Sequence, residues 1–232
     1  MEKNINITER LKKCGAMVEK GSKIADVGTD HAYLPIYLMN ENKVTHAIAC
    51  DLRKGPLENA KKNIKKFGLE EKIETRLSNG LENIKENEAD EVIIAGMGGI
   101  LISEILENCT WKNKINKKFI LQPMNHEKDL RVYLAKNGYE TENEEAVNCM
   151  GKSYVVIKTN FTGRAYNLTD LQKYIGNLKA ENEASISYIK KHLHDLKNRK
   201  KGANAKNKTE EENYYLKLIT QLENILESRN LK

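Results

Sequence analysis

The chain has 232 residues, of which 39% are hydrophobic and 31% are charged, with a formal net charge of +6. This length exceeds the usual size of a single domain, so one large domain with an appendage is expected. The positive charge suits an anionic partner such as nucleic acid, although a chain rich in Lys and Asn throughout would carry it without one.

The cysteines and the first residues argue against several classes of protein. Four widely separated cysteines, with no Cys-x-x-Cys pair and no His at ligand spacing, favour neither structural zinc nor a disulfide framework. The N-terminus carries charges where a signal peptide needs an apolar core, and no stretch approaches the ~18 apolar residues of a membrane span. A soluble cytoplasmic protein with reduced thiols, no metal and no membrane partner is therefore predicted.

The N-terminal region predicts a helix followed by a ligand-binding turn. Residues 5–18 carry apolar residues at helical spacing, with Thr8 as the cap. The apolar run 24–27 ends at Gly28 and is followed by a second apolar run long enough for a helix. A strand, a glycine turn and a helix in this order bring backbone N–H groups close to a ligand.

The next strand adds a candidate ligand for a ribose. Residues 45–50 form an apolar run that ends in Asp51, which lies 23 residues after Gly28. This is near the ~20-residue offset at which an acidic residue reaches a nucleotide ribose. A ribose-bearing cofactor is therefore the first hypothesis.

Strands and helices then alternate along the chain. The pattern predicts helices over 56–67, shortly after Gly80, over 100–106 and over 127–137, and strands over 73–77, 91–95, 118–122, 139–147 and 153–158. Five alternating units that end in a strand pair predict an α/β fold with a mostly parallel sheet and an antiparallel edge hairpin.

The chain changes character after about residue 161. Apolar residues fall on one helical stripe from Leu168 to Leu196 and on a second stripe from Tyr215 to Leu226. Two antiparallel helices that pack together as a coiled coil are predicted, with His192 and His194 facing solvent. The expected domains are therefore residues 1–161 and residues 162–232.

The residues at the strand ends discriminate between possible cofactors. The turn after the first strand reads Gly-Thr-Asp-His-Ala, without the second glycine that lets a pyrophosphate approach, which disfavours NAD and FAD. S-adenosylmethionine has no phosphate. An acid in the first strand (Asp26), an acid ending the second (Asp51) and Asn79-Gly80 after the third suit its methionine, ribose and adenine parts. The pattern favours a methyltransferase.

Three blocks of sequence carry a more specific resemblance. They are Asp26-Val27-Gly28-Thr29-Asp30-His31-Ala32-Tyr33-Leu34-Pro35, Ala95-Gly96-Met97-Gly98-Gly99 and Gln122-Pro123-Met124-Asn125. With them, the chain from residue 7 to residue 159 resembles the bacterial tRNA (adenine-22-N1)-methyltransferase family. Met124 departs from the Gln-Pro-Asn sequence of that family, and the helical tail resembles its coiled-coil extension. The resemblance implies a Rossmann-like class I methyltransferase that transfers a methyl group from S-adenosylmethionine to N1 of an adenine in the D-loop region of tRNA.

The resemblance also implies the candidate site residues. The cofactor-binding candidates are Arg10, Leu11, Asp26, Gly28, Thr29, His31, Asp51, Leu52, Asn79, Gly80, Ala95, Gly96 and Met97. The candidates next to the reacting base are Asp30, which would stabilise developing positive charge, and Tyr33 and Asn125, which would stack on the base or hydrogen-bond to it. The Asp/Asn-Pro-Pro-Tyr/Phe motif expected for methylation of an exocyclic amine is missing, which argues against N6 as the target.

Basic residues between the two tail helices are candidates for binding tRNA phosphates. They are Lys197, Arg199, Lys200, Lys201, Lys206 and Lys208. A solvated loop on a solubilising hairpin is the alternative for this cluster. Two other functions stay open from the residues alone. One is a methyltransferase that acts on another RNA, a protein or a small molecule, and the other is a non-catalytic RNA-binding protein.

Overall fold

A computed structural model describes residues 5–111 and 117–228, so the outer ends of the two predicted domains lie outside the described residues. Its centre is a seven-stranded sheet with the strand order β3-β2-β1-β4-β5-β7-β6. The strands are β1 (Ser22–Val27), β2 (Val44–Asp51), β3 (Ile73–Leu77), β4 (Glu91–Met97), β5 (Lys118–Pro123), β6 (Tyr139–Cys149) and β7 (Lys152–Phe161). Strands β1 to β5 are parallel, and β7 is antiparallel to both β5 and β6. This confirms the predicted fold.

The helices cover the sheet and form the tail. They are α1 (Glu9–Met17), α2 (Tyr33–Asn40), α3 (Lys54–Phe67), α4 (Gly99–Glu107), α5 (Glu127–Lys136), α6 (Asp170–Ile175), α7 (Glu183–Ala205) and α8 (Thr209–Glu227). Thr8 caps α1 as predicted, because its hydroxyl accepts the N–H of Leu11. No helix among the residues with described structure is long and apolar enough to cross a membrane.

The central strands are buried on both faces. Ile24, Ile48, Ile93 and Phe119 are almost fully buried, and the hydrophobic residues divide into two clusters, one on each side of the sheet. Burial on both sides explains why these strands read as continuous apolar runs instead of alternating ones. Because β1 pairs with β2 on one side and β4 on the other, the strand order reverses at β1, and ligands of open α/β sheets bind above such a point.

A buried ion pair holds α1 against the sheet. Lys158 on β7 donates to Glu91 on β4 at 2.8 Å and to the carbonyl of Met17, the last residue of α1, also at 2.8 Å. Glu91 in turn accepts the backbone N–H of Glu19 at 2.7 Å. These bonds fix the C-terminal end of α1, so its N-terminal end lies toward the carboxyl ends of β4 and β5.

Between residue 162 and residue 228, the tail contains three helices instead of the predicted two. The stripe expected to run from Leu168 to Leu196 is interrupted at Gly176, where φ is +59° and α6 ends. Asn182 then caps α7 through the N–H of Ser185. Helix α7 packs on α8 and on the edge strands, and Ile189, Leu196, Leu218 and Leu222 belong to the same hydrophobic cluster as the sheet residues Val155 and Ile157.

Three local predictions were wrong. The short helix expected after Gly80 is a series of turns, followed by a single 3-10 turn at Glu86–Glu88. The region expected as a basic loop is largely helical, since α7 continues to Ala205. His192 is buried against the rings of Tyr174 and Tyr188, and burial lowers its pKa to about 3, whereas His194 is exposed as predicted.

Candidate cofactor site at the carboxyl edge of the sheet

The turn after β1 is anchored to the end of β2. The N–H groups of Gly28 and Thr29 both donate to the carbonyl of Cys50, at 2.8 and 2.9 Å. Gly28 has φ +78°, a conformation that glycine adopts without a Cβ clash. The hydroxyl of Thr29 accepts the N–H of Ala32 at 3.1 Å, so this predicted cofactor residue shapes the turn from within.

Two nearly buried carboxylates lie at the ends of β1 and β2. Asp26 and Asp51 are each 7% exposed. Burial raises the pKa of Asp26 to about 6, opposed by a hydrogen bond with Thr29. One oxygen of Asp51 accepts the N–H of Arg53 at 2.7 Å, and within the described chain no side chain or backbone group donates to its other oxygen. That oxygen is free to accept from a ligand.

The turn continues into a polar cluster at the start of α2. The Nε2 atom of His31 lies 3.2 Å from Oδ2 of Asp30, and the imidazole stacks on the ring of Tyr33 with the centroids 4.9 Å apart. The side chain of Asn63 on α3 donates to the carbonyl of His31 at 3.0 Å. Asp30 and Tyr33 are both exposed.

The ends of β4 and β5 are joined to α1 by one amide side chain. Gln122 is fully buried, and its Oε1 atom accepts the N–H of Gly96 at 3.1 Å and Nη1 of Arg10 at 2.5 Å. The guanidinium of Arg10 also lies 5.2 Å from the ring centroid of Tyr154 on β7. Arg10 therefore reaches from α1 to the ends of β5 and β7, while Leu11, also on α1, packs against the hydrophobic core.

The two glycine-containing turns touch each other closely. A Cβ atom added to Gly28 would lie 2.0 Å from Cε of Met97, so the Met97 side chain covers the turn after β1. The Met97 carbonyl also accepts the N–H of Met124 at 2.8 Å. Both the side chain and the backbone of Met97 therefore contact the neighbouring turns.

The loop after β5 packs on the loop after β4. The N–H of Gly99 donates to the carbonyl of Asn125 at 2.9 Å. A Cβ atom on Gly98 would lie 2.9 Å from Oδ1 of Asn125, and one on Gly99 would lie 2.4 Å from the carbonyl oxygen of His126. The backbone approach requires glycine here, and it places the exposed Asn125 side chain over the glycine turn.

The side of the site next to β3 is more open. Leu52 after β2 and Leu77 at the end of β3 are 64% and 45% exposed. Gly80 has φ +57°, and its carbonyl accepts the hydroxyl of Ser78 at 2.9 Å. The exposed side chain of Asn79, two residues after Leu77, donates to Glu82 at 2.7 Å. Ala95 lies within β4 and contributes backbone to the edge.

Gln122 is the functional residue that the sequence left out. It lay inside the Gln-Pro-Met-Asn block, but only Asn125 was selected from that block. The sequence signal for Gln122 is a polar residue that directly follows the apolar residues Phe119–Leu121 within the same strand. Its role depends on Arg10, which is 112 residues away, so only the folded chain shows it.

The tail cations lie on α7 and in the turn after it. Lys197 pairs with Glu223 at 2.7 Å, Lys200 lies 3.8 Å from Glu212, and Lys208 pairs with Glu211. The other three predicted phosphate ligands, Arg199, Lys201 and Lys206, are exposed and form no ion pair within the described part of the chain.

The geometry fits a nucleoside with an amino-acid group better than a dinucleotide. The free oxygen of Asp51 suits ribose hydroxyls, and the exposed Leu52 and Leu77 suit the faces of a base. Three carboxylates along one edge of the sheet, those of Asp26, Asp30 and Asp51, would repel a phosphate. Within the described ranges, no three His, Cys, Asp or Glu side chains form a metal site.

Comparison with known proteins agrees with this geometry. A family model described as a methyltransferase domain matches residues 7–157. The tRNA (adenine(22)-N(1))-methyltransferase of Bacillus subtilis is 39% identical over 153 residues, which are 66% of this chain and 64% of that protein. A putative tRNA methyltransferase of Mycoplasma genitalium is 28% identical over 63% of this chain and 65% of its own length. The matched segment thus spans just under two thirds of these two curated relatives.

Solved structures match almost the whole chain. A Streptococcus pneumoniae protein described as a putative tRNA (m1A22) methyltransferase is 33% identical, with a TM-score of 0.84 over 95% of this chain and 100% of that one. A structure of the same protein in complex with S-adenosyl-L-methionine has a TM-score of 0.81 at 32% identity, with the same coverage. The chain therefore belongs to the methyltransferase-domain family and, within it, to the bacterial tRNA (adenine-22-N1)-methyltransferase family.

Proposed function

We propose that this protein transfers a methyl group from S-adenosyl-L-methionine to N1 of adenine 22 in tRNA, with S-adenosyl-L-homocysteine as the second product. The observation that carries the proposal is the pair of buried carboxylates at the point where the strand order reverses, Asp26 and Asp51. The full-length similarity to the Streptococcus pneumoniae protein, described as a putative m1A22 methyltransferase, supports the choice of substrate.

The cofactor would be held by the strand ends from β1 to β4. Asp51 would accept the ribose hydroxyls with its free oxygen, and Leu52 would cover the adenine together with Leu77. Asp26 and the peptides of Gly28 and Gly96 would surround the methionine part, while Arg10 closes this half of the edge from α1. Ionised Asp26 would attract the ammonium group of the methionine part.

The bound cofactor supplies an electrophilic methyl group on a sulfonium. Adenine N1 attacks this carbon with its lone pair, so the N–C bond forms while the C–S bond breaks, and no proton has to be removed. The protein mainly has to align the adenine, and it then holds a base that has become cationic. Asp30, exposed at the turn, would stabilise the developing charge, and Tyr33 and Asn125 would orient the base.

The tail would bind the tRNA backbone. We assign methyl transfer to residues 1–161 and phosphate binding to residues 162–232, where the six basic residues of α7 and the following turn lie. Phosphate contacts of this kind orient a tRNA without reading its bases. A tRNA substrate also places the activity in the cytoplasm, and the proposed reaction needs no obligate protein partner.

The experiment that tests the proposal is nucleoside mapping. The purified protein is incubated with methyl-labelled cofactor and with bulk tRNA, bulk protein or no macromolecule, and tRNA is then digested and analysed by mass spectrometry. We expect 1-methyladenosine at position 22 and label in the tRNA only. Label in the bulk protein would show that this enzyme methylates protein instead of tRNA. Absence of any cofactor turnover would indicate a non-catalytic RNA-binding protein.

Asp51→Ala tests the proposed cofactor site separately. It removes an acceptor of charge-assisted hydrogen bonds, which are worth roughly 1.5–3 kcal/mol, so cofactor affinity should fall by about ten- to a hundredfold. Calorimetry on the folded variant measures this loss. An unchanged affinity would remove Asp51 from the cofactor site.

A further inference from the structure

Exposed apolar side chains gather around the candidate site. Eight large hydrophobic residues are well exposed in the described part of the chain. Six of them lie at or shortly after the end of a strand, or in the hairpin turn, at the carboxyl edge of the sheet. They are Tyr33, Leu52, Leu77, Ile100, Leu101 and Met150. Apolar groups that are left in water together on one edge commonly mark a binding surface.

Met150 is the most exposed of these residues, and its backbone is unfavourable. Cys149 pairs with Lys152, so Met150 and Gly151 form a two-residue hairpin turn between β6 and β7. Both have positive φ, +50° and +74°, as in a type I′ turn. Asn or Gly is preferred at the first of these positions, yet a methionine with 90% exposure lies there. Neither turn propensity nor burial explains this side chain, so a binding role is the remaining physical reason.

The hairpin places Met150 above the end of β5. Leu121 of β5 pairs with Ile157 of β7, and β5 ends shortly afterwards at Pro123. The hairpin continues past that point by about four residues, which is roughly 13 Å at ~3.3 Å per residue. Below the turn, Tyr154 contacts Arg10, which spans the site. The tip therefore lies beside the end of β5, next to the strand ends β1 to β4 that are proposed to hold the cofactor.

We propose that Met150 contacts the tRNA, packing against a base next to the target adenine while that adenine is out of its stack. This inference rests on the proposed function, and it concerns how the substrate is opened. An adenine stacked in folded tRNA cannot present N1 in line with a methyl donor, so it has to leave the stack. Unbranched apolar side chains are suited to filling such a gap, as wedges between base steps do in DNA-bending proteins.

The charges around the turn are compatible with an RNA strand. Lys152 follows the turn and is exposed, and Glu145 on the same hairpin is paired with Lys13 of α1 at 2.6 Å. Ile100 and Leu101 at the start of α4 lie on the other side of the β5 end, where they extend the apolar surface. A base between these two surfaces would be adjacent to Asn125.

The test compares Met150→Asn with wild type and with Met150→Leu. Asn is a better residue for the turn but offers no apolar contact, whereas Leu keeps the contact and the strained backbone. For Met150→Asn we expect a thermal midpoint that is equal or higher by roughly 1–3 °C and an unchanged cofactor affinity. We expect its single-turnover methylation of folded tRNA to be about tenfold slower, and Met150→Leu to keep most of the wild-type rate. A tRNA with 2-aminopurine at the target position should show a smaller fluorescence rise with Met150→Asn than with wild type.

Each other result has a defined meaning. Methylation by Met150→Asn at the wild-type rate would overturn the inference and leave the proposed function intact. A loss of cofactor affinity would place the effect in the Arg10–Tyr154 contact instead. A wild type that sediments as a dimer and a Met150→Asn variant that sediments as a monomer would assign Met150 to a contact with a second copy of the chain and overturn the inference. Wild type that forms no 1-methyladenosine would overturn both proposals.

Discussion

Asp26 is a carboxylate in a place that disfavours its charge. It lies near the end of β1, between apolar strands, and burial raises its pKa to about 6. Between the pKa of an unfolded Asp, ~3.9, and about 6, the folded protein binds more protons at this residue than the unfolded chain does. Stability contributed by this group therefore falls as pH rises through that window and is constant above it.

Asp26→Asn should reveal this pH dependence. The variant lacks the ionisation, so its stability relative to wild type should be greater at pH 8 than at pH 4, by about 2–3 kcal/mol at ~1.4 kcal/mol per pKa unit. Urea denaturation at the two pH values measures the difference, and other titrating groups cancel in the comparison. A relative stability that is the same at both pH values would contradict the assignment. The same variant should bind the proposed cofactor more weakly at pH 8.

Gln122 and Arg10 should act as a unit. Gln122→Leu leaves the guanidinium of Arg10 and the N–H of Gly96 without their shared acceptor, and Arg10→Ala removes one donor. Each should weaken cofactor binding by about tenfold, and the double variant should lose little more than the larger single loss. Calorimetry on wild type, the two single variants and the double variant gives the coupling free energy between the two side chains.

Lys13→Ala is the control for that cycle. It removes another cation from α1, whose pair with Glu145 is partly exposed and should contribute little. Strictly additive losses for Gln122→Leu and Arg10→Ala would show that the two side chains act independently.

For single residues, the sequence predicts the acidic side chains at strand ends better than it predicts contacts between side chains that are distant in the chain. Asp26 and Asp51 could be found because strand ends in a parallel sheet share one edge, which follows from local patterns alone. Gln122 could not be found in this way, because its role is a bond to Arg10 across 112 positions. Thr29 stays a predicted cofactor residue, and its hydroxyl also accepts the N–H of Ala32 inside the turn.

Among the elements, the contact between the β4–α4 and β5–α5 loops depends on one missing side chain. A Cβ atom on Gly99 would meet only backbone atoms within 3.1 Å, the carbonyl groups of His126 and Asn125, so the two loops would have to separate. Gly55 in α3 is the matched case, since a Cβ atom there would meet nothing within 4 Å.

Gly99→Ala and Gly55→Ala should therefore change stability in opposite directions. Gly99→Ala should cost about 1–3 kcal/mol from overpacking and should reduce methylation, because the Asn125 loop moves. Gly55→Ala should stabilise by up to about 1 kcal/mol, because it restricts the unfolded chain at a helical position. Urea unfolding and a single-turnover assay measure both effects. A stable and active Gly99→Ala would show that the loops adapt to the added methyl group.

The elements of the sheet could be predicted and those of the tail only in part. Buried parallel strands leave apolar runs, and these runs predicted the central strands β1, β2, β4 and β5, while the alternation of polar and apolar residues over Ile73–Leu77 predicted β3. The helical spacing of apolar residues from Leu168 to Leu196 runs on past Gly176, although helix α6 ends there and the chain turns. The basic region was predicted as a loop from its charge and its glycine, yet α7 runs through both, because Ala203 is buried and the helix packs on α8.

Over the whole molecule, a buried arginine joins the sheet to the tail. Arg131 on α5 donates to Glu144 on β6 at 2.5 Å, to the carbonyl of Tyr174 on α6 at 2.8 Å and to the hydroxyl of Tyr188 on α7 at 3.1 Å. Removing the tail would take away two of these acceptors and expose the cluster that the helices cover. Surface substitutions in the full chain are therefore the suitable test of tRNA binding by the tail.

The six tail cations differ in how much charge they can offer to a phosphate. Arg199, Lys201 and Lys206 form no ion pair among the residues with described structure, whereas Lys197, Lys200 and Lys208 each lie beside a glutamate of α8. A paired lysine has to leave its carboxylate, or bring it along, before it can neutralise a phosphate. Each full phosphate contact contributes roughly 0.7–0.9 to the slope of log affinity against log salt.

Replacing Arg199, Lys201 and Lys206 together by alanine should therefore weaken tRNA binding strongly at low salt and reduce the salt slope by about 2–3. The matched triple, Lys197, Lys200 and Lys208 to alanine, removes the same formal charge but should reduce the slope by less, because each of these lysines already lies beside a glutamate of α8 and contributes less to phosphate neutralisation. Binding titrations at several salt concentrations separate the two sets, and cofactor affinity should be unchanged in both. Equal slopes for wild type and both triples would mean that the phosphates are bound elsewhere, and the tail would then serve only to cover the sheet.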